Sequence, residues 1–206
     1  ANYDILNPVA WDNISLNSKN IDLTKNSSIF VFGSLICRNV TSRETLKELL
    51  KIAPFKLFDV NLRSPYYNLN LIEELMLSSD FIKFNHEEIT EISSLYNKKT
   101  TSLESMIKTV SKETKTNEIC VTMGEKGACY YTNNSFYFQD GFKINVSDTV
   151  GAGDSFLATL VEGILNKTKP EEVLKKACAV AAIVASKKGA TSKVSLNEIS
   201  DLIESK

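Results

Sequence analysis

The sequence predicts an α/β fold, a mainly parallel central sheet with helices on both faces. Three observations carry that expectation. Short apolar runs of strand length alternate with amphipathic segments of helical period, and such alternation gives parallel strands joined by helical crossovers. From Ala152 onward the pattern becomes almost wholly helical. The 206 residues, 43% hydrophobic and 24% charged, suit one ordinary globular unit, which at this size buries about 70% of its unfolded surface without disulfides or a metal.

The elements follow in chain order. Residues 2–14 read as an extended arm and 15–26 as a turn-rich linker. Ile29 to Phe32 is a short apolar run that ends in Gly33-Ser34, a buried strand opening into a loop. Ser42, followed by Thr45, Leu46, Leu49 and Leu50, predicts a capped amphipathic helix that stops before Pro54. Strands are expected at Phe55 to Leu62, Asp80 to Phe84 and Glu118 to Met123, and helices near Asn70 to Leu77, Glu87 to Leu95 and Leu103 to Val110. Gly124 to Gly127 is a tight turn into a strand at Ala128 to Thr132, which pairs with Ser135 to Phe138 as a hairpin across Asn133-Asn134. Helices near 152–165, 171–187 and 196–203 complete the chain. No internal repeat or low-complexity tract interrupts it.

Charge and cysteine usage exclude several classes of function. With 24 basic against 25 acidic side chains and no long basic run, the chain lacks the clustered Lys and Arg that phosphate contacts to a nucleic acid require. Cys37, Cys120, Cys129 and Cys178 form no CxxC pair, and the single His86 leaves no zinc-like cluster, so the four thiols read as small buried hydrophobes. No apolar stretch is long enough for a membrane helix, and the first residues are neither a signal nor a transit peptide. A small-molecule or protein partner in a reducing cytoplasm is the expectation.

Asp148-Thr149-Val150-Gly151-Ala152-Gly153-Asp154-Ser155-Phe156 is the most informative stretch. It runs into the helical stripe Phe156, Leu157, Leu160, Val161, Ile164 and Leu165, so its glycines open a buried helix whose outward amides suit an anion. A carboxylate in that turn repels a phosphate that is merely bound. Asp154 makes sense if it accepts a proton beside a phosphoryl group in transfer, although an Asp that caps a helix is the bland alternative. GxxxxGK[ST] and the third glycine of a dinucleotide fingerprint are both absent.

Other segments carry weaker signals of the same kind. Asp59, Asn61 and Arg63 alternate, which on a strand would bring all three to one face at its carboxyl end, where open α/β sheets bind ligands; an Asp59–Arg63 ion pair is the bland alternative. Asn85 and Glu88, at a strand-to-helix junction, share one side of the first turn, with a simple cap by Asn85 as the alternative. Thr122, Gly124 and Gly127 close a strand and allow close backbone approach, which a plain hairpin explains equally well. Lys187-Lys188-Gly189 ends a helix, where cations complement the dipole and Gly189 provides the C-cap.

In that order along essentially the whole chain, these segments resemble the ribokinase-like, or PfkB, family of carbohydrate kinases. DTVGAGDSF is similar to its signature, and Phe32-Gly33-Ser34-Leu35, Phe58 to Arg63, Lys83 to Glu88 and Val121 to Gly127 resemble successive motifs of its fructokinase-like branch. Val9 to Ile14 resembles lid-region sequence. The resemblance implies a ribokinase-like three-layer fold with the remnant of a β lid. Residues 1–26 would be lid remnant and linker, and 27–206 the carboxy-terminal part of the kinase domain with the ATP site. It also implies a homodimer formed through the lid.

For chemistry, the resemblance implies ATP-dependent phosphorylation of a sugar hydroxyl, of fructose or a related ketose. Asp154 would be the base and the amides of Gly151, Ala152 and Gly153 the oxyanion donors. Thr122, Gly124, Gly127, Asn85, Glu88, Lys187 and Gly189 would bind the nucleotide, with Glu88 reaching Mg²⁺ through water. Asn61, Arg63 and Asp12 would meet the sugar. Asp148 with the carbonyls of Val150 and Val184 could supply a potassium site, although Lys193 stands where some relatives have a Ser ligand. Nothing matches the family's amino-terminal glycine pair and Asn that hold the sugar, so the chain reads as the carboxy-terminal two-thirds of a sugar kinase. Loss of the first strands is expected to uncover Val31, Phe58 and Val60 and to favour self-association. A non-catalytic nucleotide binder, or a family kinase for ribose, a nucleoside or 2-keto-3-deoxygluconate, is the alternative.

Overall fold

The computed structural model describes residues 5–96 and 102–205, so residues 2–4 of the expected arm lie outside it. The chain divides into two compact units, residues 5–120 and residues 121–205. Its strands are β1 Phe30–Gly33, β2 Lys56–Asp59, β3 Phe81–Asn85, β4 Ile119–Thr122, β5 Ala128–Thr132 and β6 Ser135–Gln139. They hydrogen-bond in that order. β1, β2 and β3 are parallel, and β5 and β6 antiparallel. The helices are α1 Ser18–Lys25, α2 Val40–Leu50, α3 Leu69–Leu77, α4 His86–Tyr96, α5 Leu103–Thr114, α6 Ala152–Leu165, α7 Pro170–Ser186 and α8 Leu196–Glu204. This is the mostly parallel α/β fold that the alternation predicts.

In residues 5–120 the central strands are buried on both faces. Leu57 and Phe58 point to opposite sides of β2 and both have no exposed area, as do Phe81 and Ile82 on β3. The Phe32 and Phe58 rings stack across β1 and β2 at 5.0 Å. Of the three side chains expected to be uncovered, only Val31, on β1, is exposed, at 45%; Phe58 and Val60 are at 0%. β2 is covered, and of these three side chains the exposed one stands on β1, the edge strand that begins the order.

The amino-terminal segment departs from the expected arm and linker. Residues 10–13 form a 3-10 turn, and a helix occupies most of the expected linker. Asn17 and Asn20 build a reciprocal cap for α1: each side-chain oxygen accepts the other's backbone N–H at 3.0 Å. Two asparagines in a polar stretch resemble a turn by composition. Ser42 is not the cap of α2; Asn39 is, accepting the Thr41 N–H at 3.0 Å. Ser42 is buried and fastens the amino-terminal segment, donating to the Trp11 carbonyl at 2.8 Å and accepting from the Ile14 N–H at 2.9 Å.

In residues 121–205, Asn133 and Asn134 have φ of 50° and 60°, the left-handed pair that a two-residue hairpin turn requires. α7 packs against β5, β6 and α6. α6 and α7 meet at Gly163, where an added Cβ would lie 2.4 Å from Val173 Cγ2. Among the described residues no helix is long and apolar enough to cross a membrane.

Gly163→Leu should therefore overpack the α6–α7 contact and lower stability by about 1–3 kcal/mol. Chemical denaturation would read this as an earlier midpoint; an unchanged midpoint would show that the two helices do not approach here.

Candidate active site

In residues 121–205 the stretch 148–154 forms a loop held by backbone. Asp148 Oδ1 accepts the Val150 N–H at 3.0 Å and Oδ2 the Gly189 N–H at 3.4 Å. The Ser147 and Asp148 N–H groups donate to the Ala185 carbonyl at 2.8 and 3.1 Å. Gly151 is the N-cap of α6 with φ of 80°. Its α-carbon is pressed against the loop after α7, so that a Cβ would lie 2.3 Å from the Ala190 carbonyl oxygen. Only glycine satisfies both the backbone angle and the contact.

That contact sets how α6 begins. The Ala152 N–H donates to the Thr149 carbonyl at 3.3 Å, which removes one of the three expected anion donors. Among the described residues the amides of Gly151 and Gly153 have no acceptor, as the orphan N–H groups of a helix start require. Asp154 is exposed on the first turn of α6, and no described residue pairs with its carboxylate. The loop thus offers the free amides of Gly151 and Gly153 at the positive end of a helix with an accessible carboxylate beside them.

The two other glycine positions separate by role. Gly127 is required by packing, because a Cβ would lie 1.9 Å from the Gln139 carbonyl oxygen. Gly124, with φ of 58°, faces open space in the 3-10 turn after half-buried Thr122. Gly189, with φ of 88°, also faces open space. It is not the C-cap of α7, which is Lys187 in extended conformation.

Lys187 does not present a free ammonium. Its Nζ donates to the Lys193 carbonyl at 2.6 Å and pairs with Glu198 Oε1 at 2.5 Å. That ammonium, with the Ser195 N–H and hydroxyl, holds the Glu198 carboxyl down to about 2. The Val184 carbonyl accepts the Lys187 N–H at 3.0 Å. The oxygens of Asp148 and Val184 expected to meet a monovalent cation thus each hold a backbone amide.

In residues 5–120, β2 ends at Asp59, and Asn61 takes φ of 41°. The expected alternation of Asp59, Asn61 and Arg63 along one strand face is therefore broken, because a left-handed residue reverses the pleat. Asp59 does pair, but with Lys83 rather than Arg63: the two stand opposite in the β2–β3 register, 2.9 Å apart and nearly buried. The Asn61 carbonyl accepts from the Ser34 hydroxyl at 3.3 Å. Arg63 donates from Nη1 to the Leu62 carbonyl at 3.0 Å.

Asn85 and Glu88 form a reciprocal cap on α4. Asn85 Oδ1 accepts the Glu88 N–H, and Glu88 Oε2 the Asn85 N–H, both at 2.8 Å. Glu88 Oε1 accepts the Leu62 N–H at 2.9 Å and so ties the loop after β2 to the helix. Burial pushes the Glu88 carboxyl above its ordinary value, although these N–H bonds and Lys83 oppose the shift. With both oxygens engaged, the pair suits contact with a metal's waters better than direct coordination. Among the described residues no group of three or more His, Cys, Asp or Glu side chains could hold a metal ion. His86 is exposed.

Asp12, expected at the sugar, is fully buried. Its oxygens accept from Arg38 Nε at 2.6 Å and Nη2 at 2.7 Å, and from the Val9 N–H at 2.9 Å. Arg38 stacks on the Trp11 ring at 4.0 Å and on Tyr66 at 5.0 Å. Asp12 thus anchors the amino-terminal segment instead of facing solvent. Lys83, Arg38 and Glu198 were not among the expected site residues. A lysine inside the apolar strand FIKFN was a readable signal for the first; the other two pairs join residues distant in sequence.

A glycine N-cap followed by an acidic residue on the first turn of a helix is an arrangement that suits phosphoryl transfer. The model for the pfkB family carbohydrate kinases matches residues 5–197, and the chain belongs to that family. It is 35% identical over 196 residues to an uncharacterized sugar kinase of Pyrococcus horikoshii, covering 89% of this chain and 58% of that protein. The crystal structure of that kinase superposes with a TM-score of 0.78 at 28% identity, covering 96% of this chain and 66% of that one. Fructokinase-2 of Solanum lycopersicum is 30% identical over 190 residues, covering 83% of this chain and 56% of that protein. The chain spans less than two-thirds of these relatives.

Gly151→Ala should place a methyl group against the Ala190 carbonyl and displace the start of α6. A lower melting temperature is the expected outcome in calorimetry; an unchanged one would show that the loop does not need this wedge.

Proposed function

We propose that the protein transfers the γ-phosphoryl group of ATP to a hydroxyl of a sugar, with fructose or a related ketose as the acceptor. The observation that carries this reading is the exposed Asp154 carboxylate beside the free amides of Gly151 and Gly153 at the head of α6. Family membership supports it, as does the named activity of the Solanum lycopersicum relative.

In this reading the sugar hydroxyl gives its proton to Asp154 while its oxygen forms a bond to the γ-phosphorus. The bond from that phosphorus to the β,γ-bridging oxygen breaks, and ADP leaves with the electron pair. The Gly151 and Gly153 amides donate to the phosphoryl oxygens as charge shifts on them, and the dipole of α6 adds to that stabilisation. Thr122, Gly124 and Gly189 are assigned to the nucleotide, with Gly124 and Gly189 leaving open backbone for it. Gly127 shapes the turn that carries Gly124. Asn85 and Glu88 would hold Mg²⁺ through its waters, and the ion would neutralise phosphate charge. Asn61 and Arg63 are assigned to the sugar, and Asp12 positions the segment around them.

Replacing Asp154 with Ala in the full-length protein should lower ATP-dependent phosphorylation of a ketose panel by about 10²- to 10⁴-fold, while MgATP still binds. Undiminished turnover would remove Asp154 from the mechanism.

A further inference from the structure

Resting on the nucleotide reading above, we propose that Glu198 on α8 is a positioning residue for the nucleotide site, acting through Lys187 to hold the loop 187–195 in place. Lys187 bridges the two ends of this loop's span, donating to the Lys193 carbonyl at 2.6 Å and pairing with Glu198 at 2.5 Å. Within the loop the Ser192 hydroxyl closes onto the Gly189 and Lys188 carbonyls at 2.9 and 3.2 Å. Glu198 is in turn fixed by α8, since its Oε2 accepts the Ser195 N–H at 2.8 Å and the Ser195 hydroxyl at 2.9 Å. The Lys187–Glu198 ion pair therefore ties the start of this loop to α8.

The loop matters because it supports the phosphate loop from outside. Ala190 supplies the carbonyl against which Gly151 is wedged, and the Gly189 N–H reaches Asp148. A support that wanders lowers the fraction of molecules ready to bind, and the apparent affinity falls by that fraction. The role of Lys187 changes accordingly: its ammonium is directed at Lys193 and Glu198, so it shapes the site without touching the nucleotide.

Glu198→Gln keeps the cap of α8, because glutamine serves at that position, and removes the charge that attracts Lys187. Calorimetry of the full chain with MgATP should show affinity about two- to fivefold weaker in Glu198→Gln and in Lys187→Met, the range open to an exposed pair. The double variant should be no weaker than either single one. Hydrogen exchange should quicken at the amides of residues 189–192 in both single variants, and Lys187→Arg should restore part of the affinity. Glu162→Gln, which breaks the exposed Glu162–Lys176 pair of 2.8 Å between α6 and α7, is the control and should bind as wild type.

Unchanged affinity in Glu198→Gln would overturn the positioning role while leaving the nucleotide reading intact. Weakening in Lys187→Met alone would also overturn it, because Lys187 would then act on the nucleotide directly. Absence of MgATP binding by the wild-type chain would overturn the nucleotide reading and the positioning role together.

Discussion

The close approach of Gly151 to the Ala190 carbonyl is the constraint on which the proposed chemistry depends. A side chain at Gly151 would meet a carbonyl oxygen at 2.3 Å, so α6 can start where it does only from a glycine with positive φ. That start leaves the Gly151 and Gly153 amides unpaired and puts Asp154 on the first turn. Every bond that holds the loop ends on backbone: Asp148 grips the Val150 and Gly189 amides, and the Ala185 carbonyl takes two more. Backbone anchoring leaves few rotamers to freeze, so the loop is organised before a ligand arrives.

Residues 5–120 use buried charge to shape the carboxyl ends of the strands. Asp59 and Lys83 neutralise each other across β2 and β3, and Glu88 clamps the Leu62 amide while capping α4. Isolated charges at such burial would be costly, and each here has partners. For Glu88, burial outweighs the hydrogen bonds and the nearby Lys83, so its carboxyl is raised. Asp12 shows the opposite balance: the hydrogen bonds from Arg38 outweigh burial and lower it.

Much of the fold and the centre of the site could be read from the sequence because the signals are local. Apolar runs alternating with helical stripes locate the six strands and α2 to α8, and Asp148 to Phe156 carries the loop, the helix start and the acidic residue in one string. What could not be read depends on partners far along the chain or on backbone angles. Asn61 has a positive φ that no neighbour announces, so the Asp59-Asn61-Arg63 alternation looked like strand. The cap made by Asn17 and Asn20 has the composition of a turn. Asp12 has the look of an exposed polar residue until Arg38, 26 residues away, encloses it. Gly127 suits a plain hairpin or a nucleotide-binding turn equally by spacing, and the Gln139 carbonyl that requires a glycine there comes from β6.

The most direct test of the account is amide NMR of the full chain during titration with MgATP. The account predicts the largest shifts at Gly151 and Gly153, loop amides without acceptors, with smaller ones at Gly189. Binding that moves other amides and leaves Gly151 and Gly153 unchanged would contradict it.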